Sequence, residues 1–137
     1  MKARVLFDTD VILDFLLERQ PFFTEATTAL NTVSQGKAIG FVSAHSVTTL
    51  FYVLSRKVGS DKGKEIICDL IKNLSVASVT ENTIKLALTS KFRDFEDAVA
   101  HYAALEEKVS VIVTRNIKDF SNGEIPAVLP EVFNAPS

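Results

Sequence analysis

Acidic and amide side chains recur at three separated places in this 137-residue chain. The first is Phe7-Asp8-Thr9-Asp10, the second Asp94-Phe95-Glu96-Asp97, and the third Thr114-Arg115-Asn116-Ile117-Lys118-Asp119-Phe120. The first and third follow apolar runs rich in β-branched residues or their like, Val5-Leu6-Phe7 and Val111-Ile112-Val113, and the second opens an alanine-rich helical pattern. Carboxylates far apart in sequence, each where a strand ends or a helix begins, point to one shared pocket. Hard oxygen ligands of that kind suit Mg²⁺ or Mn²⁺ and the phosphodiesters those ions activate.

Each group also has a plain structural use. Asp8 precedes the apolar pattern Val11–Leu17 and can cap that helix. Asp10 is more than one cap requires, and two carboxylates so close repel unless a cation stands near. Asp94, Glu96 and Asp97 in a first turn complement the helix dipole. Phe95, Ala98, Val99 and Tyr102 form the expected buried face of that helix, and Asp94, Asp97 and His101 share another stripe. Turned to the sheet edge, that stripe would make Asp97 the inward ligand and His101 its neighbour. The segment 114–120 is a charged turn after the most β-prone run, with Phe120 placed to pin it to the body.

Other chemistries find no residues. His45 and His101 are the only histidines, too few for a histidine-based metal site. There is no G-x-S-x-G, and the five glycines never approach a phosphate-cradling loop. The lone Cys68 cannot form an internal disulfide. Its neighbours Ile66, Ile67, Leu70 and Ile71 mark it as a core residue, with a reducing, cytoplasmic setting as the expectation. The ten phenylalanines are expected in the core.

The elements that must position these groups alternate. Strands are expected at 3–8, 39–43, 76–79, 110–114 and 127–129, and helices at 11–17, 24–34, 46–57, 81–89 and 94–108. A further helix, capped by Ser60 or Asp61, carries Ile66, Ile67, Leu70, Ile71 and Leu74 on its apolar side. Such alternation predicts an α/β/α sandwich around a mostly parallel sheet of about four to five strands, one domain over residues 1–137. Ligands of open sheets bind beyond the carboxyl ends of the strands, where Asp8 and Asn116 fall. No apolar run approaches the roughly 18 residues of a membrane span, and Val5–Phe7 is too short for a signal-peptide core. A net charge of −2 excludes a strongly basic nucleic-acid binder, yet leaves room for an enzyme that recruits cations to an acidic pocket.

Taken in order, Phe7-Asp8-Thr9-Asp10-Val11-Ile12-Leu13, Asp97-Ala98 and Ile112-Val113-Thr114-Arg115-Asn116-Ile117-Lys118-Asp119-Phe120 resemble the PIN-domain family of ribonucleases and VapBC-type toxins. The resemblance covers nearly the whole chain. It implies Mg²⁺ or Mn²⁺ held by clustered acids, and hydrolysis of single-stranded RNA by a metal-activated water. On this match Asp8 and Asp97 are the principal ligands. Asn116 and Asp119 are outer ligands or water-positioning groups, and Thr114 is a polar neighbour. Asp10, Asp94, Glu96, Thr49 and Arg115 are additional site groups. A small antitoxin and a homodimer are the implied protein partners.

The chain departs from the family at Thr49, where a helix glutamate is usual; its stripe of His45, Thr49, Tyr52 and Arg56 holds no carboxylate. Asp10 replaces the usual asparagine of the opening motif, and Asn116 stands where some members carry aspartate. Two readings stay open: a metal-dependent ribonuclease, and a degenerate PIN domain that binds RNA or a protein without cutting. A phosphoacceptor domain is disfavoured, because the run Val76–Val79 ends in Thr80, not in an acceptor aspartate.

Overall fold

The computed structural model describes residues 2–136. Five strands, β1 (Ala3–Phe7), β2 (Ala38–Ser43), β3 (Leu74–Ala77), β4 (Val111–Val113) and β5 (Ala127–Val128), form one sheet in the order β3-β2-β1-β4-β5. Every pairing is parallel. The helices are α1 (Thr9–Leu16), α2 (Phe23–Ser34), α3 (Ala44–Val58), α4 (Ser60–Leu70), α5 (Glu81–Leu88), α6 (Phe95–Glu106) and α7 (Pro130–Asn134). A 3₁₀ turn spans Ile117–Phe120.

Strand periodicity makes the layers. Val5 and Phe7 of β1, with Val113 of β4, pack against Val11, Ile12, Ala26, Ala29 and Leu50 from α1, α2 and α3. Leu6 and Ile112 point the other way, onto Ala100, Ala103 and Ala104 of α6 and onto Phe120. Both sheet faces are therefore covered, as a parallel sheet requires. The small α6 alanines let that helix lie close to the sheet, so its first turn arrives at the sheet's carboxyl edge. Packing is equally tight at Gly40 in β2, where a Cβ would sit 2.6 Å from the Leu74 side chain and 2.7 Å from Val33.

The structure corrects several expectations. Cys68 is exposed, because α4 packs against α3 and leaves its outer stripe open; Ile71 is 44% exposed. Neither Ser60 nor Asp61 caps α4: Gly59 does, at φ +89°, with no side-chain hydrogen bond. Phe95 is exposed, since α6 turns its alanine face to the sheet, and Phe22 lies at the surface as well. The chain also continues past β5 into α7, started by Pro130 in its first turn, where a missing N–H does no harm.

Candidate functional site

Asp8 and Thr114 stand side by side at the carboxyl edge of the sheet. The β1–β4 ladder runs up to them, with the Asp8 N–H donating to the Val113 carbonyl (3.0 Å). Asp8 is the N-cap of α1 after all, accepting from the Thr9 N–H at 2.9 Å through Oδ1. Its Oδ2 accepts from the Thr114 hydroxyl at 2.8 Å, and Thr114 Oγ1 in turn accepts the Asn116 N–H at 3.0 Å. The cap role and the site role are thus compatible. A carboxylate pinned at both oxygens keeps further lone pairs for the open side.

Asp97 reaches the same region from the first turn of α6. Asp94 caps that helix, accepting from the Asp97 N–H at 2.9 Å. Asp97 is half-buried, and its carboxyl is pushed up to about 7, first by burial and then by Asp8, Asp94, Asp119 and Glu96. Burial also raises Asp8; the Thr114 and Thr9 hydrogen bonds oppose that, while Asp10 and Asp119 add to it. The three separated motifs therefore meet as one electrostatic cluster. Among the described residues no lysine or arginine forms an ion pair with Asp8, Asp97 or Asp119.

The remaining sequence candidates divide. Asp119 lies exposed on the 3₁₀ turn that the buried Phe120 anchors, and Asn116 is exposed just before it, at its N-cap. Glu96 and Asp94 are exposed beside Asp97. Thr49 is half-buried on α3, one turn beyond His45, whose Nε2 contacts the Glu96 carbonyl at 3.1 Å. Asp10 leans toward Arg19, 3.7 Å away. Arg115 turns from the cluster and clamps Asp14 instead, through Nε (2.7 Å) and Nη2 (3.2 Å).

His101 is not a neighbour of the acids. It is buried, and its Nε2 accepts the Glu124 and Ile125 N–H groups at 3.0 and 3.3 Å. That role requires a neutral ring, and burial lowers its pKa accordingly. Asp14, only 1% exposed, went unnoticed in the sequence. Its signal was an aspartate inside the apolar run Val11-Ile12-Leu13-Asp14-Phe15-Leu16, which demands a buried partner.

The donor set fits a hard divalent cation. Asp8, Asp97 and Asp119 supply unneutralised carboxylates whose mutual repulsion a cation would relieve. Among the described residues no three carboxylate, imidazole or thiol side chains stand close enough together to hold a metal ion as they are placed.

The sequence model of a family described as "PIN domain" matches residues 4–118. Ribonuclease VapC1 of Aquifex aeolicus (strain VF5) is 27% identical over 135 residues, covering 95% of this chain and 92% of that protein. Among solved structures, a chain of FitAB bound to an IR36 DNA fragment superposes with a TM-score of 0.74 at 14% identity, covering 97% of this chain and 98% of its own. A chain of Rickettsia felis VapBC2 bound to a promoter DNA fragment gives 0.68 at 10% identity, with 93% and 98% covered. VapC20 of Mycobacterium tuberculosis, a toxin cleaving the sarcin-ricin loop, gives 0.61 at 14% identity, with 79% and 86% covered.

Proposed function

The chain belongs to the PIN-domain family, and on that footing we propose that it is a Mg²⁺- or Mn²⁺-dependent endoribonuclease acting on single-stranded RNA. The observation that carries this reading is the carboxylate cluster at the ends of β1 and β4, joined by α6 and left without a compensating cation. Asp8 and Asp97 are the principal ligands, with Asp119 beside them. When bound, the divalent ion supplies Lewis acidity toward the phosphoryl oxygen and an activated water.

The chain's own residues orient the rest. Thr114 and the Thr9 N–H fix the Asp8 carboxylate before substrate arrives, which lowers the reorganisation needed in the transition state. The exposed Asn116 amide can donate to a phosphate oxygen, where an aspartate would repel it. Asp97, raised to about 7 by burial and its acidic neighbours, would be held in its ionised form by a bound cation.

The solved relative named as a toxin, VapC20, supports a toxin role, and a small antitoxin is the partner this reading implies. We place the whole chain in one cytoplasmic domain that pairs as a homodimer. A neighbouring reading frame encoding a small DNA-binding protein would support the pairing with an antitoxin.

A second reading has Thr49 as its observation. With no carboxylate at that position the domain would bind RNA or a partner without cutting it. An RNase assay with Mn²⁺ on single-stranded RNA separates the two. Cleavage lost in Asp8→Asn and in Asp97→Asn is the expected result. Absence of both Mn²⁺ binding and cleavage in the wild type would hand the case to the non-catalytic reading.

A further inference from the structure

A cavity of about 290 Å³ opens between the turn before α2, Arg115 (the residue after Thr114) and the start of α7. Phe22, Glu25, Arg115, Pro130 and Glu131 line it. We propose that this cavity is a base subsite that takes a guanine of the RNA strand gripped at the acidic cluster. The proposal rests on the ribonuclease reading and names part of its substrate.

The cavity holds a preformed flat platform. The Arg115 guanidinium carbon lies 4.0 Å from the centre of the Phe22 ring. It cannot swing away, because Nε and Nη2 are both engaged by Asp14, a carboxylate only 1% exposed. A stacking surface locked in this way loses little rotamer freedom when a ring arrives. Phe22 itself is 39% exposed, which leaves aromatic surface open beside the cavity. Bases of single strands bind on such aromatic and guanidinium planes.

The rim is acidic. Glu25 and Glu131 offer only acceptors. Glu25 Oε2 already accepts from the Asn134 amide at 2.9 Å, whereas Glu131 is exposed and has no ion pair or side-chain hydrogen bond among the described residues. The positive charge of Arg115 is answered by Asp14. A phosphate would meet two carboxylates and no free cation, so the cavity selects a neutral ring that carries donors. Guanine presents N1–H and the N2 amino group side by side, and the two oxygens of Glu131 can accept both. Adenine and cytosine set an acceptor beside their amino group, and uracil flanks its one N–H with carbonyls.

Placement agrees. Arg115 directly follows Thr114, which holds Asp8. Asp14 lies along α1 from its cap Asp8, about 9 Å away at the helical rise per residue. Arg19 stands between, half-exposed and only loosely paired, 3.7 Å from Asp10 and 3.8 Å from Asp14. Both pairings are long, so it can turn from them to the intervening phosphate.

The test uses the full chain with Mn²⁺ and short single strands that differ at one base, guanine, inosine or adenine. The guanine strand should be cut with a kcat/KM about ten-fold above the adenine strand, as for a good bidentate base contact. Inosine, lacking the amino group, should fall between. Glu131→Gln and Phe22→Leu should each bring the ratio toward one while thermal melts show them folded. Guanosine monophosphate, followed by NMR, should shift the Arg115 Nε–H resonance, and adenosine monophosphate should not. RNA cut equally well whatever the base, or an Arg115 resonance blind to guanosine monophosphate, would overturn the subsite and leave the ribonuclease standing. RNA neither bound nor cut would remove the ribonuclease reading, and the nucleotide titration would then decide the subsite alone.

Discussion

The Thr114 hydroxyl donates to Asp8 Oδ2 across 2.8 Å, tying together two residues 106 positions apart in the chain. Thr114 is fully buried, so no water can take over that bond. It holds the end of β4 to the start of α1 and sets the direction in which Asp8 faces the open edge of the sheet.

Thr114→Val keeps the shape and removes the donor. Hydrogen bonds to charged groups contribute about 1.5–3 kcal/mol, so Mn²⁺ affinity or kcat/KM should fall roughly ten-fold or more. Thr114→Ser should retain most of the activity. Mn²⁺ titration and initial rates on one RNA check both, and a valine variant as active as wild type would show that Asp8 needs no such support.

Asp97 gives a pH signature in EDTA. Its folded pKa of about 7 lies above the ordinary value of 3.8, so the folded protein keeps a proton that the unfolded chain has released. This group therefore lowers stability progressively as pH rises between those two values, and leaves it unaffected below them. Asp97→Asn should melt above wild type at pH 8, by about 1–2 kcal/mol after allowance for its partial exposure, and match it at pH 3.5. A variant less stable than wild type at pH 8 would mean the carboxylate is needed by the fold itself.

His101 pulls the opposite way. Its lowered pKa means that the neutral ring is the folded form, with stability complete above the ordinary value of 6.5 and lost as pH falls through the folded pKa. His101→Gln should lose stability at pH 8 and show a flatter acid limb in melts taken from pH 8 to pH 5.

Thr49→Glu restores the charge that the family usually carries. Thr49 follows His45 by one turn on the same face of α3, and His45 touches the Glu96 carbonyl next to Asp97. The variant should bind Mn²⁺ more tightly by about 1–3 kcal/mol and reach maximal cleavage at lower Mn²⁺. Isothermal titration decides; unchanged affinity would show that position 49 faces elsewhere.

Arg115→Met should be strongly destabilising. Removing one partner of a buried pair costs about 3–5 kcal/mol, toward the lower end here because Arg19 stays 3.8 Å from Asp14. Adding Asp14→Leu should recover much of the loss in urea melts. If the single variant is as stable as wild type, the pair is not what holds the 114–120 turn to α1.

The sheet was legible because buried parallel strands read as short apolar runs, and the Asp8 cap because aspartate is favoured at a helix start. What stayed hidden depends on which face an element turns inward. Periodicity finds the apolar stripe of α6, yet small alanines won the sheet and Phe95 was left outside. The apolar run around Cys68 looked like core because sequence does not show that α4 has a neighbour on one side only. His101 shared a stripe with Asp97, but the ring is packed against Gly123, where even a Cβ would sit 2.6 Å from it. The Asp14–Arg115 pair links residues 101 apart and leaves no local pattern.

The strand order has a consequence for synthesis. β4 lies against β1 at the middle of the sheet, although nearly the whole chain separates them. A chain emerging from the ribosome carries Asp8 first and Asp97 much later, and still lacks the partner strand that holds Asp8 in place. A chain built in this order cannot bring its acidic cluster together until β4 has been made. Whatever chemistry the cluster performs waits for the last quarter of the chain.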